Sequence, residues 1–395
     1  MGGVNRTSGG GPTGANLGAV RSHNTALVLG LLRGAGGAGI SRLELAERTG
    51  LTPQAVSKIT ARLREAGLAA EAGRRASTGG KPRTVLRLVP EAGHAVGVHL
   101  DRDELRVVLV DLDGAVVVER RGELDLGAGA EAVLGVVGAA VRGLVADALG
   151  GTPPDAPTLL GVGVALPGPL DHARGVLHRV TGFPQWDGFP LRDALAERLG
   201  VPVVVDKDTN AAALGLAVGG EPGPGEQRES GQGAGDGAFP GSGSFAYLHL
   251  GTGLGAGLVI GGRVHRGART GAGEFGHQVI RLDGPPCPCG NRGCVEVLCL
   301  DAVARGEVAE AARVLGVAAG NLVGLLDIDL VLLGGRTVAG SPEPYVAGVA
   351  EVLAARARRE GMPGGSVRVA PRGERVVAEG AAQLLLAPLF GRGDV

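Results

Sequence analysis

The spacing of hydrophobic and polar positions divides the chain into three parts. Residues 1–20 show almost no hydrophobic pattern and are rich in Gly, Asn, Ser and Thr, which is typical of a flexible tail. In residues 21–90 short apolar stripes recur at helical spacing, and in residues 91–395 strand-like runs alternate with helical runs. We therefore predict a tail, a small N-terminal domain and a large α/β domain.

The first two predicted helices of the small domain are marked by their apolar stripes and their ends. Thr25 to Arg33 is predicted to be a helix with an apolar stripe. Ser41 followed by Glu44 matches a capping box, so a second helix is predicted to begin there and to end at Gly50. This second helix is expected to bury Leu43, Leu45 and Ala46.

A third helix is predicted to begin at Thr52, which is followed by Pro53. Its buried stripe is expected to consist of Val56, Ile59 and Leu63. Two short helices joined by a glycine turn form a helix-turn-helix unit, whose second helix enters the major groove of DNA. DNA contacts are expected from Thr52, Gln54, Ser57, Lys58 and Arg62. Gln54 and Ser57 are placed to read base edges, and the two cations to hold phosphates.

A β-hairpin is predicted over Ala69 to Leu88, and its tip carries the cations Arg74, Arg75 and Lys81. A narrow cationic hairpin suits a minor groove or a phosphate. Residues 21–90 hold twelve Lys and Arg against four Glu, a basic balance typical of nucleic-acid-binding domains. The pattern predicts a winged helix-turn-helix domain that binds a double-stranded DNA operator. A three-helix protein-interaction module with a solvated basic surface is the alternative.

The large domain is predicted to contain strands that end at glycine-rich or acidic turns. The predicted strands are His94–Leu100, Leu105–Val110, Leu159–Leu166, Val201–Val205 and Ala246–Leu250. A short helix, Ala211 to Leu216, is predicted after the fourth strand, and a Gly/Pro/Glu-rich surface insertion at about residues 217–244. Strands that alternate with helices indicate an α/β fold with ligand sites at strand ends.

Three of the four cysteines, Cys287, Cys289 and Cys294, lie within eight residues, and His277 lies ten residues before them. One imidazole and three thiolates form a closed tetrahedral set of ligands for structural Zn²⁺. Disulfides are rare in cytosolic chains, and a Cys-x-Cys pair is poorly placed to bridge itself. We therefore predict a structural zinc site, with a cluster of reduced thiols as the alternative. Cys299 lies in an apolar run and is expected to be buried.

Two motifs give the large domain its resemblance to a known family. They are Glu274-Phe275-Gly276-His277 and Cys287-Pro288-Cys289-Gly290-Asn291-Arg292-Gly293-Cys294-Val295-Glu296. With the preceding winged helix, they make the chain resemble the ROK family of repressors, open reading frames and sugar kinases from Arg21 to about Gly391. The resemblance implies a two-lobed, actin-like ATPase (ribonuclease H-like) fold, with sugar bound in the cleft between the lobes.

The resemblance also implies a set of sugar-binding residues. These are Gly168, Asp208, Glu274, His277 and Glu296. In the kinases of the family, the residue matching Asp208 is the base that accepts the proton of the sugar hydroxyl, which suits a carboxylate at a strand end. The alternative interpretation is that these carboxylates are solvated loop residues.

One turn departs from the kinases of the family. Where they have a glycine-rich turn that receives ATP phosphates, this chain has Asp101, Arg102 and Asp103. Side chains there block the close approach of a phosphate to the backbone, and phosphoryl transfer depends on that positioning. We therefore expect no catalysis, with Asp208 a vestigial base. Lys207 replaces a kinase Asn, from which we hypothesise that the ligand is an anionic sugar derivative.

Composition and charge place few further limits on the function. The chain of 395 residues has a net charge of −1 and is 44% hydrophobic, which excludes a mostly disordered protein. We find no apolar run long enough to cross a bilayer and no charged-then-apolar leader. The expectation is a soluble cytoplasmic protein with no membrane partner.

The sequence thus predicts a non-catalytic, sugar-responsive DNA-binding regulator, most simply a repressor of carbohydrate-metabolism genes. A single short helix offers few base contacts, so we expect a homodimer or tetramer. Two alternatives stay open. One is an ATP-dependent sugar kinase with a fused DNA-binding domain, and the other is a sensor of a protein partner.

Overall fold

The computed structural model describes residues 22–77, 80–180, 182–218, 243–361 and 364–392. The predicted tail, residues 1–20, and most of the predicted insertion, residues 217–244, lie outside these ranges. The N-terminal domain, here called the head, contains α1 (His23–Ala35), β1 (Ile40–Ser41), α2 (Arg42–Thr49), α3 (Pro53–Glu65), β2 (Ala69–Ser77) and β3 (Gly80–Leu88). Its strands form a small sheet in the order β1-β3-β2.

The ends of the head helices follow the predicted signals. Ser41 and Glu44 form the capping box of α2, Gly50 ends that helix in the left-handed conformation, and Thr52 caps α3. The expectation that Leu43 is buried is wrong, because its side chain is 42% exposed. Leu43 lies only two positions before Leu45, which is fully buried, and residues two apart do not share a helix face.

The first lobe of the large domain is a five-stranded sheet with helices on its surfaces. Its elements are β4 (His94–Leu100), β5 (Glu104–Asp111), β6 (Val116–Glu123), α4 (Ala130–Leu149), β7 (Leu159–Leu166), β8 (Leu170–Asp171), β9 (Val176–Leu177), α5 (Leu191–Leu199), β10 (Val203–Lys207) and α6 (Asp208–Val218). The strand order is β10-β7-β4-β5-β6, with β4, β7 and β10 parallel and the β4-β5-β6 meander antiparallel.

The second lobe repeats this arrangement. Its elements are β11 (Phe245–Leu250), β12 (Leu254–Ile260), β13 (Arg263–Val264), α7 (Val295–Ala304), α8 (Val308–Leu326), β14 (Leu330–Gly334), α9 (Arg336–Gly340), α10 (Pro342–Glu360) and β15 (Ser366–Val369), after which α11 (Val376–Leu389) returns to pack on the strands of the first lobe. The strand order is β13-β12-β11-β14-β15, with β11, β14 and β15 parallel. Two sheets of the same topology confirm the predicted two-lobed α/β fold.

The predicted strand bounds hold except at β10. The strand was expected over Val201–Val205, but it runs from Val203 to Lys207, and α6 begins at Asp208 without an intervening loop. The strand continues because Asp206 and Lys207 are both buried and pair in register with β7. The side chains at this strand end are therefore held by a sheet and a helix.

Helix α11 packs against several parts of the chain. A side chain at Gly97 of β4 or at Gly163 of β7 would collide with the α11 backbone, at 1.9 and 1.8 Å respectively. A Cβ at Gly380 of α11 would likewise lie 2.0 Å from the carbonyl oxygen of Ala211 in α6. Glycine is required at these contacts because only a residue without Cβ lets two backbones approach so closely.

The head shares a hydrophobic core with the first lobe and with α11. Its buried members include Leu32 and Leu86 from the head, Val110 from β5, and Leu386 and Phe390 from the C-terminal region. Two contacts of Arg33 add to this core. Its guanidinium lies 4.7 Å from the Phe390 ring centroid, and it donates a hydrogen bond of 2.7 Å to the carbonyl of Asp113. The head is therefore packed on the large domain.

Two of the described helices, α4 and α8, are long and apolar enough to cross a membrane. The expectation that no apolar run reaches that length is therefore corrected. Both helices supply side chains to the core of their own lobes, for example Val137 and Leu144 in α4 and Leu315 in α8. Packing in a lobe core accounts for their apolar character.

Candidate functional site

The four predicted metal ligands come together at the start of α7. His277 closes a turn of 3₁₀ helix, Cys287 and Cys289 lie on the following loop, and Cys294 is the residue before α7. The possible ligand atoms of these four residues all lie within 4.8 Å of one another. Cys287 Sγ is 3.7 Å from His277 Nδ1, and Cys289 Sγ is 3.7 Å from Cys294 Sγ.

These distances fit a tetrahedral zinc ion. A Zn–S bond of about 2.3 Å places two thiolates of a tetrahedron about 3.8 Å apart, and the observed sulfur separation is 3.7 Å. A disulfide needs sulfurs at about 2.05 Å, and all four cysteines are free. Cys299 is fully buried and its thiol donates to the carbonyl of Ala311, so it is a core residue, as expected.

The five predicted sugar-binding residues line one cavity between the lobes. Its volume is about 80 Å³, and its lining includes Gly168, Asp208, Glu274, His277 and Glu296. Three segments of the first lobe, at residues 101–102, 167–168 and 207–209, face the Gly251–Gly255 loop and the metal-binding region of the second lobe. The structure thus brings the set together, at the carboxyl ends of strands where α/β proteins bind ligands.

Asp208 is the first residue of α6, and its carboxylate accepts a hydrogen bond of 2.6 Å from the backbone amide of Thr209. The pKa of Asp208 is raised to about 7, chiefly by burial and also by the nearby carboxylates Asp101 and Glu274, and the Thr209 amide and Lys207 oppose this rise. A carboxyl group with a pKa near neutrality can either donate or accept a hydrogen bond to a ligand hydroxyl.

Glu296 connects the metal region to the Gly251–Gly255 loop. It lies in the first turn of α7, two residues after the ligand Cys294, and its carboxylate accepts a hydrogen bond of 2.9 Å from the amide of Leu254. His277 both lines the cavity and lies among the metal ligands. A metal bound to the cluster would fix the loop that holds His277 and the start of the helix that holds Glu296.

Lys207 has a different role from the one predicted. Its side chain is 3% exposed, and its ammonium donates to Glu274 Oε1 at 3.0 Å and to the carbonyl of Ala272 at 2.5 Å. A Cβ at Gly168 would lie 2.7 Å from the Lys207 side chain, so glycine is needed to make room for it.

The cavity lining also carries more acidic than basic residues. Asp101, Asp208, Glu274 and Glu296 face only the cations Arg102 and Lys207. Since Lys207 is already neutralised by Glu274, the hypothesis of an anionic ligand loses its basis. The charge balance instead favours a ligand without negative charge.

The turn at Asp101, Arg102 and Asp103 contacts the second lobe. Asp103 accepts two hydrogen bonds from the guanidinium of Arg336, at 2.8 and 3.0 Å, and Asp101 accepts one from the Thr252 hydroxyl at 2.8 Å. The amide of Gly251 in the facing loop is also used internally, since it donates to the carbonyl of Gly253. Sequence reasoning missed Arg336, because only the folded chain brings position 336 next to position 103.

His99, which is buried, and His249, which is half-buried, lie beneath this turn, and sequence reasoning missed their contact. His99 and His249 lie at ring-centroid distance 6.2 Å, and His249 bonds the Tyr247 hydroxyl at 2.9 Å. Burial, and then the neighbouring His249, lower the pKa of His99 to about 3. Both rings are therefore neutral at physiological pH. No periodicity or spacing in the sequence marks them, since β4 and β11 meet only in the fold.

The predicted DNA-binding residues of α3 lie on the solvent side of the head. Gln54, Ser57, Lys58 and Arg62 are exposed, as is Thr52, whose hydroxyl caps the helix by accepting from the Ala55 amide. Arg74 of the wing is exposed. The side chain of Lys81 lies outside the described residues.

Arg75 is engaged within the head. Its guanidinium pairs with Glu44 at 3.1 Å and donates to the carbonyls of Ala38 and Gly39. This tie joins the wing to the start of α2 while the side chain stays 50% exposed, so Arg75 remains a predicted DNA contact. Its role in the head is to hold the wing against the helices.

Comparison with known proteins identifies both parts of the chain. The ROK family profile matches residues 95–224 and 236–302, and a winged helix-turn-helix DNA-binding profile matches residues 28–69. The N-acetylglucosamine repressor of Escherichia coli O157:H7 is 31% identical over 304 residues, which cover 76% of this chain and 68% of the repressor. The chain belongs to the ROK family.

Other comparisons agree with this ROK assignment. The xylose repressor of Bacillus subtilis (strain 168) is 29% identical over 259 residues, or 65% of this chain, and the chain spans 61% of that repressor's length. The crystal structure of a ROK family transcriptional regulator, a homologue of the E. coli MLC protein, aligns with 94% of this chain and 98% of its own at a TM-score of 0.71. At 20% identity it shows that the fold is shared.

Proposed function

We propose that this ROK protein is a sugar-responsive transcriptional repressor, in which the head binds an operator and the interlobe cavity binds an uncharged sugar. The observation that carries the proposal is the combination of an exposed polar and basic α3 with a cavity lined by all five predicted sugar residues. The names of the relatives, xylose repressor and N-acetylglucosamine repressor, support it. The sugar that binds this chain belongs to the same chemical class.

A structural zinc ion is part of this proposal. The ligands would be His277, Cys287, Cys289 and Cys294, whose separations suit the ion. When bound, zinc would hold the loop that positions Glu274 and the start of α7 that positions Glu296. These side chains would then accept hydrogen bonds from sugar hydroxyls, which recover the hydrogen bonds that the sugar loses to water.

The signal from sugar to DNA requires a physical connection, and two packed helices supply a candidate. Asp208 begins α6, which packs closely on α11 at Gly380, and α11 contributes to the core that it shares with the head. A ligand that favours one arrangement of the cleft could shift the head only if it binds the two states with different affinity. We also propose that the protein acts as a homodimer or tetramer in the cytoplasm, where an operator is accessible.

DNA binding is tested on sites selected from random duplexes with the purified protein. We expect Arg62→Ala and Lys58→Ala each to weaken binding to all selected sites and to lower the salt slope of binding by about 1, as for the loss of one phosphate contact. Gln54→Ala should instead change which sites are preferred. Arg313→Ala, an exposed arginine of α8, is the control. Unchanged binding in all three head variants would remove α3 from DNA recognition.

Sugar binding is tested by a thermal-shift panel that includes xylose, N-acetylglucosamine, glucose and their phosphates. Preferential binding to the folded state raises the unfolding temperature. We expect an uncharged sugar to stabilise the wild-type protein and to weaken its binding to the operator. The same sugar should not stabilise the Glu274→Gln variant. Stabilisation by sugar phosphates alone would contradict the ligand class, and stabilisation without an effect on DNA binding would contradict the repressor.

A further inference from the structure

The turn between β4 and β5 joins the two lobes of the ROK domain. Its residues Asp101, Arg102 and Asp103 belong to the first lobe, whereas Arg336 and Thr252 belong to the second. The Asp103–Arg336 pair is bidentate, with both oxygens of the carboxylate engaged. A bidentate arginine–carboxylate pair fixes orientation as well as distance.

The same turn also lines the ligand cavity. Asp101 and Arg102 are both part of its wall, and the Arg102 guanidinium lies 5.8 Å from the ring centroid of Phe183. Asp101 therefore faces the ligand and the second lobe at once, since it accepts the Thr252 hydroxyl and borders the cavity. Any change in the separation of the lobes must alter this turn.

A second charge pair lies behind the first, between β5 and the turn that leads into α11. Arg106 of β5 is 5% exposed, and its guanidinium donates to Glu374 at 2.9 Å, in the short 3₁₀ turn that precedes α11. This contact lies near the Asp103–Arg336 pair, and a small cavity bordered by Arg106, Arg336 and Glu374 separates the two. At this turn the lobes are joined by the Asp103–Arg336 pair and by the hydrogen bond between Asp101 and Thr252.

We propose that Asp101 and Asp103, with Thr252 and Arg336, form an interlobe clasp that holds the cleft closed without nucleotide and thereby sets the affinity of the cavity for its ligand. The clasp occupies the turn where nucleotide phosphates would lie in a kinase of this family. Closure that depends on the protein's own ion pairs preorganises the ligand cavity. The statement about ligand affinity rests on the proposed function, whereas the statement about closure does not.

The closure is tested on the ligand-free, full-length chain by hydrogen exchange of segments 100–105 and 250–255, one from each lobe. The variants are Asp103→Asn, Arg336→Gln and the double variant. An ion pair of this exposure contributes up to about 1 kcal/mol, so exchange in both segments should be about threefold to fivefold faster in each single variant. The double variant should be no faster than the singles, because both remove the same pair.

The matched control is Glu310→Gln, which breaks the bidentate Glu310–Arg313 pair within α8. That pair has similar exposure but lies within one element of one lobe, so exchange in the two segments should not change. Unchanged exchange in Asp103→Asn and Arg336→Gln would overturn the clasp. Effects that add in the double variant would overturn it as well, since they would mean that the two residues act separately.

The second measurement uses the sugar that most stabilises the wild-type chain in the thermal-shift panel. Asp103→Asn should bind it about threefold more weakly by calorimetry, and Glu310→Gln should bind it as the wild type does. Equal affinity in Asp103→Asn would overturn the role of the clasp in ligand binding. If no sugar stabilises the chain, the proposed function fails, and the exchange result still decides whether the clasp exists.

Discussion

The two sides of the interlobe cleft use their polar side chains in different ways. On the side that carries the metal-binding loop, one carboxylate oxygen of Asp208 and one of Glu274 each accept a hydrogen bond from the protein. The described residues supply no donor to the second oxygen of either group. On the opposite side, both oxygens of Asp103 are taken by Arg336, and Asp101 is held by Thr252. The first side leaves carboxylate oxygens without a protein donor, whereas on the second side both oxygens of Asp103 and one oxygen of Asp101 are engaged by the protein.

This difference supports the proposal that the cleft binds a sugar and no nucleotide. Recognition of hydroxyl groups needs a few oriented acceptors, and these are held by strand ends and by the metal-binding loop. A triphosphate needs free backbone amides and positive charge, whereas this turn presents carboxylates and satisfied amides. The predictions below test the two sides separately, beginning with the largest expected effect.

The metal-binding side should depend on zinc for its stability. We expect one zinc per chain by elemental analysis, and its loss in Cys294→Ser, because three ligands hold the ion much more weakly than four. The unfolding temperature should fall by about 10 °C, corresponding to about 3–4 kcal/mol in a domain of this size. Cys299→Ala, which changes a buried cysteine outside the cluster, should keep its zinc. Full zinc content in Cys294→Ser would contradict the ligand set.

Asp208 should make the folded state less stable as the pH rises. Its pKa is raised in the folded protein to about 7, whereas the unfolded value is about 4. The free-energy cost of ionising this carboxyl group in the folded state is therefore absent below about pH 4. The cost grows between about pH 4 and 7 and is complete above pH 7. Asp208→Asn removes this cost. Because the carboxyl borders a cavity, we expect a gain of only about 1–2 kcal/mol at pH 8.

The check on this prediction is urea unfolding at pH 5 and pH 8. The stability difference between Asp208→Asn and the wild type should be larger at pH 8 than at pH 5. Asp301→Asn, at an exposed position of α7, should show no such increase. An equal difference at both pH values would mean that the Asp208 carboxyl group is not held near neutrality.

Lys207 should set the position of Glu274 on the same side of the cleft. In Lys207→Met, the buried ammonium is lost and Glu274 keeps its exposed position without a partner, so we expect a cost of about 1 kcal/mol and a loss of sugar affinity. Lys207→Arg tests whether charge alone is sufficient, since its planar group does not fit beside Gly168 in the same way. Sugar binding by Lys207→Met as tight as that of the wild type would mean that Glu274 needs no orientation.

Much of the cleft followed from the sequence, because its residues lie in local motifs. The four metal ligands fall within 18 residues of one another, so their spacing carried the information, whereas the family resemblance supplied the sugar-binding roles of Glu274, His277 and Glu296. The capping box at Ser41 and the turn at Gly50 are local in the same sense. Family resemblance supplied Gly168 and Asp208, which lie far from the metal-binding loop in sequence.

The parts that sequence reasoning missed depend on contacts between distant segments. Lys207 appeared as a free cation, but Glu274, 67 residues later, neutralises it. The Asp103–Arg336 pair joins residues separated by 233 positions, and no local pattern records such a contact. Arg75 appeared as a wing-tip cation, yet it returns to Glu44 on α2. Charge counts along a sequence thus overstate how many charges are available to ligands.

The smallest expected effect concerns the side of the cleft that is held by the clasp. Mg²⁺·ATP should leave the unfolding temperature of the wild-type protein unchanged, in the same assay in which a sugar raises it. A nucleotide at ten times its dissociation constant would add about 1.4 kcal/mol to the free energy of unfolding, a shift of about 3–6 °C for a domain of this size. A shift of that size, together with ATP-dependent phosphorylation of the sugar that Asp208→Asn abolishes, would favour a kinase. Stabilisation by Mg²⁺·ATP without turnover would instead mean that the clasp opens to admit a nucleotide. If neither stabilisation by Mg²⁺·ATP nor phosphorylation is observed, the ligand of the cleft is expected to bind on the metal-binding side, where carboxylate oxygens have no protein donor.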